Sequence, residues 1–202
     1  MDALTPRQRR HLRTKDAILD AAREIISEDG AEKLSMRSIA NRIDYSAAGL
    51  YEYFGSKDEI ITAVCLQGDA RLRQNMSWVD NTLPPMDYLI EIGLAYIDFA
   101  VKNPDHFMLM FASGLDAHDG IQDAPEESSF DILVSAITRG VEAGVFLPRE
   151  DFGLMDMAFM AWSVVHGISV LRVTQFSQIP YDFSAADREV LKTAVYGLSQ
   201  PL

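Results

Sequence analysis

The most regular pattern of apolar positions in the chain lies between residues 35 and 57. Four apolar residues follow one another at intervals of three, one and three positions, the spacing of one face of an α-helix: Met36, Ile39, Ala40 and Ile43. Ser35 precedes this face, where its hydroxyl can accept a free backbone N–H and begin the helix. The pattern therefore predicts a short helix that ends near residue 43.

A turn and a second short helix follow. The apolar pattern breaks at Asp44-Tyr45-Ser46, because Asp tolerates turn conformations and Ser46 can cap a new helix. The second helix is predicted over residues 47–54, with Leu50 and Phe54 four positions apart on its inner side. Two short helices joined by a three-residue turn form a helix-turn-helix, whose second helix enters the major groove of DNA.

The same helical spacing predicts seven further helices. Their approximate bounds are 13–28, 56–78, 86–101, 129–143, 154–173 and 184–198, and one more helix begins at residue 104. Ser184, with Asp187 three positions on, is predicted to cap the last of them. These elements predict an all-α fold with an N-terminal three-helix helix-turn-helix domain and a larger C-terminal helical domain.

The predicted organisation has four parts. Residues 1–12 form a mobile arm, residues 13–57 form the helix-turn-helix domain, the helix over 56–78 links it onward, and residues 79–202 form the second domain. The arm lacks apolar periodicity, and its arginines either contact DNA or remain solvated.

The longest turn-rich stretch, residues 113–128, is acidic and predicts an exposed loop. His118 lies there between Asp116 and Asp119, but these residues lack a helical ligand spacing. A solvated loop is therefore preferred to a metal site, and we expect no metal.

The charge of the chain is unevenly distributed. The formal net charge is −12, of which residues 1–60 contribute −1 and residues 61–202 contribute −11. Five basic residues cluster before or at the start of the first predicted helix: Arg7, Arg9, Arg10, Arg13 and Lys15. A locally basic region on an acidic protein is compatible with binding to DNA phosphates.

Composition narrows the class of protein further. With 48% apolar residues the chain is not a disordered one. The single cysteine, Cys65, excludes an internal disulfide framework and a multi-cysteine zinc site, and we predict that it packs as a small apolar residue. No apolar run is expected to approach the roughly 20 residues of a membrane span. A soluble cytoplasmic protein without a cofactor or a membrane partner is therefore expected.

The region around the helix-turn-helix, over roughly residues 13–66, resembles the DNA-binding domain of the tetracycline-repressor (TetR) family of bacterial regulators. The matching residues are Ser35-Met36-Arg37, Ile39-Ala40, Ser46, Gly49-Leu50-Tyr51, Phe54 and Ser56-Lys57, preceded by Ala17–Ala22 and Gly30. The Trp162-to-Gly167 segment, with His166, is similar to a Trp–His–Gly element in one branch of that family. The resemblance implies a ligand-responsive transcriptional regulator, most often a repressor, and not an enzyme.

The resemblance also implies which residues contact a double-stranded DNA operator. Tyr51 and Lys57 would contact phosphates, and the small residues that begin the second helix would lie close to base edges. The full predicted set is Arg37, Arg42, Tyr45, Ser46, Ala47, Ala48, Gly49, Tyr51, Tyr53 and Lys57.

Two features depart from the family pattern. The second helix carries no Lys, Arg, Asn or Gln, so base recognition is expected from thymine-methyl contacts, tyrosine hydroxyls or DNA shape. Asp44 stands where the family more often has Gly, and we expect it to adopt the turn conformation with some strain.

By resemblance, the middle helices enclose a pocket for a small, largely apolar effector. The candidate ligand-binding residues are Trp78, Tyr96, Phe99, Phe107, Met108, Phe111, Met160, Trp162 and His166. The alternative for each is a role in the core alone. The last two helices would pair with their copies in a homodimer, which also suits the two half-sites that helix-turn-helix proteins usually contact.

Two other classes of protein have less support in the sequence. A small helical enzyme would need catalytic groups, and the four histidines and one cysteine form no recognisable nucleophile or metal motif. A helical protein-binding module that has lost DNA binding is suggested only by the uncharged second helix. Salt-dependent DNA binding separates the regulator from both.

Overall fold

The computed structural model describes residues 4–112 and 128–200. Within these ranges the chain forms nine α-helices and one 3₁₀ turn, with no β-strand, which confirms the all-α prediction. The helices are α1 Pro6–Asp29, α2 Met36–Arg42, α3 Ala47–Leu50, α4 Lys57–Ser77, α5 Pro85–Lys102, α6 Pro104–Ala112, α7 Ser129–Glu142, α8 Leu154–Val173 and α9 Ser184–Leu198. The predicted loop over 113–128, with His118, lies outside the described residues except for Ser128, which caps α7.

The described residues fall into two compact units. The first comprises the residues up to Gly68 together with Met108–Ala112, and the second comprises Asp69–Phe107 together with the residues from Ser128 onward. The first unit holds the predicted helix-turn-helix, and the second holds α5, α7, α8 and α9.

The first helix begins seven residues earlier than its apolar pattern predicts. The Thr5 hydroxyl accepts the backbone N–H of Gln8 at 3.3 Å, the Gln8 side chain accepts the backbone N–H of Thr5 at 2.8 Å, and Pro6 occupies the first helical position. This reciprocal cap begins a helix without apolar periodicity. The prediction of a mobile arm is therefore wrong for residues 6–12, while residues 1–3 lie outside the described part.

The core of the first unit is formed by the inner faces of its helices. Its fully buried members include Ile18, Ala22, Ile39, Leu50, Phe54, Ile60 and Val64. Cys65 is 5% exposed and packs in this core, which confirms its role as a small apolar residue. Because α2 and α3 contribute their apolar sides to this core, their opposite sides face outward.

The turn between α2 and α3 depends on the backbone conformation of Asp44. Its φ is +53°, in the left-handed region, and it is the one non-glycine residue with positive φ in the described part of the chain. Tyr45 donates its backbone N–H to the Ala40 carbonyl at 2.9 Å, which closes the end of α2. The expected turn conformation of Asp44 is confirmed.

Replacing Asp44 by a β-branched residue is expected to destabilise this turn. Asp44→Val should lower the free energy of unfolding by about 1–2 kcal/mol, because a branched Cβ is crowded in the left-handed region. Urea denaturation followed by circular dichroism measures the change. Asp44→Gly is the control, since glycine adopts positive φ without a steric penalty, and equal loss in both variants would contradict the explanation.

The second unit is built around α5, which contacts α7, α8 and α9. Ile92, Tyr96 and Phe99 of α5 are buried. Gly93 lies between them, where an added Cβ would stand 3.1 Å from Leu191 of α9 and 3.2 Å from Val165 of α8. The lack of a side chain at Gly93 therefore allows the three helices to approach closely.

The α8 helix corrects the expectation that no segment has the length and hydropathy of a membrane span. It is 20 residues long and contains an 18-residue window with a mean hydropathy of 1.5, so by length and composition alone it could cross a bilayer. Its charges, Asp156 and Arg172, stand near its two ends, which leaves an apolar centre. The helix contacts α5, α7 and α9, but only 28% of that window is buried, so part of its apolar surface stays exposed.

The start of α9 also differs from its prediction. Phe183 is the residue before the helix, and Ser184 is its first residue and not its cap. Asp187, predicted to take part in that cap, is 7% exposed and forms an ion pair with Arg172 of α8. The longer-range pairing with an arginine therefore replaces the local cap.

Candidate nucleic-acid interface and aromatic cluster

The α3 helix is short and capped by Ser46. The Ser46 hydroxyl accepts the backbone N–H of Gly49 at 3.0 Å, so this side chain serves the helix itself. The helix was predicted to extend to Phe54, but its regular α-helical part ends at Leu50. Beyond it the chain continues in tight turns, in which Tyr53 and Phe54 both donate their backbone N–H to the Leu50 carbonyl, at 2.9 and 3.0 Å.

The outer side of this segment carries small and aromatic residues. Tyr51 is 58% exposed and Tyr45 is 43% exposed, while Leu50 and Phe54 are buried. Of the small residues predicted near base edges, Ala48 is exposed and Ala47 and Gly49 are half-buried; Tyr53 is also half-buried. The segment therefore presents a surface of low charge that contains tyrosine hydroxyls.

The predicted cationic contacts differ in their surroundings. Arg37 is exposed on α2, and Lys57 is half-buried at the start of α4. Arg42 forms ion pairs with Glu28 at 2.7 Å and Glu24 at 3.3 Å, both on α1. The hydrogen bond with Glu28 raises the pKa of Arg42, and the same bond lowers the pKa of Glu28. Arg42 therefore connects α2 to α1.

Two tyrosines and a histidine form a stack beside α3. The His11 ring stacks on the Tyr53 ring with centroids 4.6 Å apart and an angle of 23°. Tyr53 meets Tyr45 edge-on at 6.2 Å, and their hydroxyl oxygens are 3.5 Å apart. The contact with Tyr53 raises the pKa of Tyr45, and the carboxylate of Glu52 adds to this. His11 was missed from the sequence because it lies in the segment predicted as a mobile arm.

An aromatic cluster lies in the second unit. Its members are Tyr96 of α5, Phe107 of α6, Phe130 of α7, and Trp162 and His166 of α8. Phe107 lies 5.8 Å from Tyr96 and 5.4 Å from His166 between ring centroids. Trp162 lies 6.3 Å from His166 and 5.2 Å from Phe130. Four predicted ligand-binding residues are thus brought together, and Phe130 joins them without having been predicted.

Polar atoms connect three members of this cluster. Trp162 donates its Nε1–H to the Tyr96 hydroxyl at 3.3 Å, and that hydroxyl lies 3.1 Å from Nδ1 of His166. Because the indole can only donate, Tyr96 accepts the hydrogen bond from Trp162. The direction of the bond between Tyr96 and His166 depends on which ring nitrogen of His166 carries the proton.

Burial shifts the proton equilibria of this network. It raises the pKa of the Tyr96 hydroxyl well above its ordinary value, and the nearby carboxylate of Asp69 raises it further, while the hydrogen bond from Trp162 lowers it. Burial also lowers the pKa of His166. Both shifts favour the neutral forms, so the cluster is an uncharged, largely apolar environment with a few polar atoms.

The other predicted ligand-binding residues differ in how far they are buried. Phe99 is buried on α5, and Met160 is half-buried on α8. Trp78 is 74% exposed just after α4. Met108 and Phe111 are 38% and 36% exposed and belong to the first unit.

Grooves in the described part of the second unit lie elsewhere. One of about 680 Å³ is lined by residues of the α5 start and of α9, among them Pro85, Ile90 and Tyr196. Another of about 660 Å³ is lined by residues including Arg71, Arg73 and Tyr88. In residues 4–112 and 128–200, no three His, Cys, Asp or Glu side chains are grouped so as to hold a metal ion.

Two protein-family models match the chain. Residues 18–64 match the model described as bacterial regulatory proteins of the tetR family, and residues 89–193 match the tetracyclin repressor-like C-terminal domain. The first match contains the helix-turn-helix, and the second covers more than half of the chain and contains all five residues of the aromatic cluster.

Two curated relatives match different lengths of this chain. The HTH-type transcriptional regulator UidR of Escherichia coli K12 is 36% identical over 78 residues, which cover 39% of this chain and 40% of that protein. The chain therefore matches well under half of the length of this relative. The HTH-type transcriptional regulator Mb1846 of Mycobacterium bovis is 26% identical over 184 residues, covering 77% of this chain and 79% of that protein.

Solved structures share the fold. A regulatory protein of the tetR family from Rhodococcus RHA1 superposes with a TM-score of 0.72 at 18% identity, covering 93% of this chain and 98% of that one. FadR of Bacillus subtilis, solved in complex with stearoyl-CoA, gives a TM-score of 0.73 at 19% identity, covering 90% and 98%. The chain belongs to the TetR family of bacterial regulatory proteins, whose N-terminal and C-terminal family models it matches.

Proposed function

We propose that the protein is a homodimeric repressor that binds a roughly palindromic operator and is released by a small, largely apolar effector. The proposal rests mainly on the presence of two units in one chain. One unit contains the helix-turn-helix, and the other contains the aromatic cluster with its hydrogen-bonded Tyr96, Trp162 and His166. The proposed DNA-binding domain comprises residues 13–57, α4 is the link, and residues 79–202 form the effector and dimerisation domain. Such a soluble regulator acts on DNA in the cytoplasm.

The proposed DNA contacts follow from the exposed side of α2, α3 and the start of α4. Arg37, Tyr51 and Lys57 contact phosphates, which fixes the orientation of the protein on the duplex. Ala47, Ala48 and Gly49 let the backbone approach the base edges, where apolar contacts with thymine methyl groups are possible. Ser46 contributes by capping α3, and Arg42 by holding α2 to α1.

The dimer is proposed from an exposed apolar side of the last two helices. Every fourth residue of α8 is exposed along one side: Met155, Phe159, Ser163, Gly167 and Leu171. On α9, Val190 and Tyr196 are 48% and 58% exposed. Large exposed apolar surfaces on soluble proteins mark interaction sites, and a two-fold axis would pair this surface with itself. A dimer also matches the two half-sites of a palindromic operator.

The effector is proposed to bind in the second unit next to Tyr96, Phe107, Trp162 and His166. Aromatic walls with a few convergent polar atoms are typical of small-molecule sites. The stearoyl-CoA complex of the Bacillus subtilis protein supports ligand binding by this fold. Phe99 and Met160 are proposed to support these walls, whereas Trp78, at 74% exposure, lacks the enclosure of a ligand contact.

Effector release requires a difference in affinity between two states of the dimer. One conformation of the dimer binds DNA and the other does not. An effector lowers operator affinity only to the extent that its own affinity is higher for the conformation that does not bind DNA. By the same linkage, operator DNA lowers effector affinity by an equal factor.

The assigned phosphate contacts can be tested with two variants on an operator recovered by selecting bound fragments from genomic DNA. Lys57→Ala should weaken binding to all DNA sequences alike and make the slope of log affinity against log salt shallower by about 1, because one phosphate contact is lost. Tyr51→Phe should also weaken binding but leave the slope unchanged, because the lost contact is uncharged. Fluorescence anisotropy at several salt concentrations measures both.

Lys102→Ala is the matched control, since Lys102 lies at the end of α5 and pairs with Asp98 at 2.9 Å. It should change neither affinity nor slope. Unchanged affinity in both Lys57→Ala and Tyr51→Phe would refute the assigned phosphate contacts.

A further inference from the structure

The stack formed by His11, Tyr53 and Tyr45 joins α1 to the operator-facing segment. His11 lies on α1, 42 positions before Tyr53 in the sequence, and its exposed imidazole covers one face of the Tyr53 ring at 4.6 Å. Nearly parallel rings at this distance attract each other beyond the area that they bury. His11 therefore restricts the orientation of the Tyr53 side chain.

Tyr45 is held from two sides. Its ring meets the edge of Tyr53 at 6.2 Å, and the two hydroxyl oxygens are 3.5 Å apart, a contact longer than an ordinary O–H···O hydrogen bond. On the other side the Tyr45 ring lies over Gly49, where an added Cβ would stand 2.8 Å from it. Any residue other than glycine at this position would therefore displace the Tyr45 ring.

The chemistry of the segment makes these ring positions important for recognition. Residues 45–54 contain no Lys, Arg, Asn or Gln, the side chains that most often make bidentate contacts with bases. The Ser46 hydroxyl is engaged in the α3 cap. Glu52 accepts hydrogen bonds but cannot donate them. The hydroxyls of Tyr45 and Tyr53 can both donate and accept hydrogen bonds, and the rings that carry them lie in the stack with His11.

We propose that His11 is a positioning residue for operator specificity: it stacks on Tyr53 and thereby fixes the Tyr53 and Tyr45 hydroxyls for contact with the bases. This inference rests on the proposed binding of an operator through α3. It assigns a role in sequence recognition to a residue of α1 that does not itself contact the bases.

The test compares three single variants on one recovered operator and on copies with a symmetric base-pair substitution at each position. The quantity measured is the ratio of the Kd for each substituted site to the Kd for the recovered site. His11→Ala should lower this ratio roughly two- to tenfold at one or two positions, because the stack is lost. His11→Phe should restore the ratios, because an uncharged ring also stacks. Leu12→Ala, at an exposed neighbouring position, should leave them unchanged.

Thermal unfolding midpoints and the salt slope should stay at the wild-type values in His11→Ala, which separates positioning from loss of fold or charge.

Three outcomes would overturn the inference. In the first, the wild-type protein distinguishes the recovered site from the substituted sites, and His11→Ala shows the same Kd ratios at every position. Another is uniform weakening with a shallower salt slope that His11→Phe does not restore, which would make His11 a phosphate contact. The third is a wild-type protein without sequence preference, in which case the proposed function fails as well.

Discussion

Phe159→Glu is expected to abolish the proposed dimer and to lower operator affinity by about a hundredfold or more. Phe159 is 69% exposed on the apolar side of α8, together with Met155 and Leu171. A carboxylate buried in the proposed two-fold interface would lose its water without gaining a partner. A monomer contacts a single half-site, so it loses the gain of about 10²–10⁴-fold from two linked contacts.

Size-exclusion chromatography with light scattering, followed by anisotropy on a palindromic operator, measures both effects. Val101→Glu is the matched control, because Val101 is a 41% exposed apolar residue that lies on α5 and not on α8 or α9. It should leave mass and affinity unchanged. A dimeric Phe159→Glu variant with wild-type affinity would place the interface elsewhere.

Arg172→Met is expected to lower the free energy of unfolding by about 3 kcal/mol, the cost of leaving a buried charge without its partner. The side chains of Arg172 and Asp187 are 17% and 9% exposed, and they form the ion pair between α8 and α9. The Arg172 guanidinium also lies over the Phe183 ring, 4.9 Å from its centroid. Without Arg172, the Asp187 carboxylate would stay buried and lose its cation.

The loss should depend on pH in a defined direction. Burial raises the pKa of Asp187 and Arg172 opposes this rise, so removing Arg172 raises the pKa further. A carboxyl with a raised pKa in the folded state binds its proton before the unfolded chain does as pH falls. As pH falls from that raised pKa to the ordinary value near 4, the free energy of unfolding of the variant should therefore rise. The difference in stability between the variant and the wild type should become smaller in the same range.

A double variant and a surface pair provide the controls for Arg172→Met. Arg172→Met with Asp187→Leu should recover most of the stability, since an apolar pair carries no desolvation cost. Lys192→Ala breaks an exposed pair with Glu189 at 2.7 Å and should cost no more than about 1 kcal/mol. A loss in Arg172→Met that is independent of pH would contradict this explanation.

The helices were predictable where apolar spacing and capping agreed. Met36, Ile39 and Ala40 mark α2 in the sequence, and Ser35 caps it as predicted. Apolar spacing does not reveal the start of α1, which is marked in the sequence by the cap formed by Thr5, Pro6 and Gln8. Leu50 and Phe54 are buried as predicted although the α-helical part of α3 is shorter, because the following turns keep both on the inner side.

The aromatic cluster shows what one sequence cannot supply. Trp162 and His166 are one helical turn apart, so their proximity could be predicted from α8 alone. Their polar partner, Tyr96, lies about 70 positions away, and spacing along α5 does not distinguish it from Phe99. His11 and Tyr53 pose the same difficulty, because tertiary packing creates their contact.

The most direct test is selection of bound fragments from genomic DNA. The affinity for the recovered site is then measured at about 50 and 200 mM salt, a range over which DNA-binding proteins generally lose affinity steeply. The account predicts enrichment of a palindromic site and a loss of roughly 10³–10⁵-fold in affinity over this range if six to ten phosphates are contacted. No enrichment even at the lower salt concentration would contradict the claim that this chain binds an operator through its helix-turn-helix.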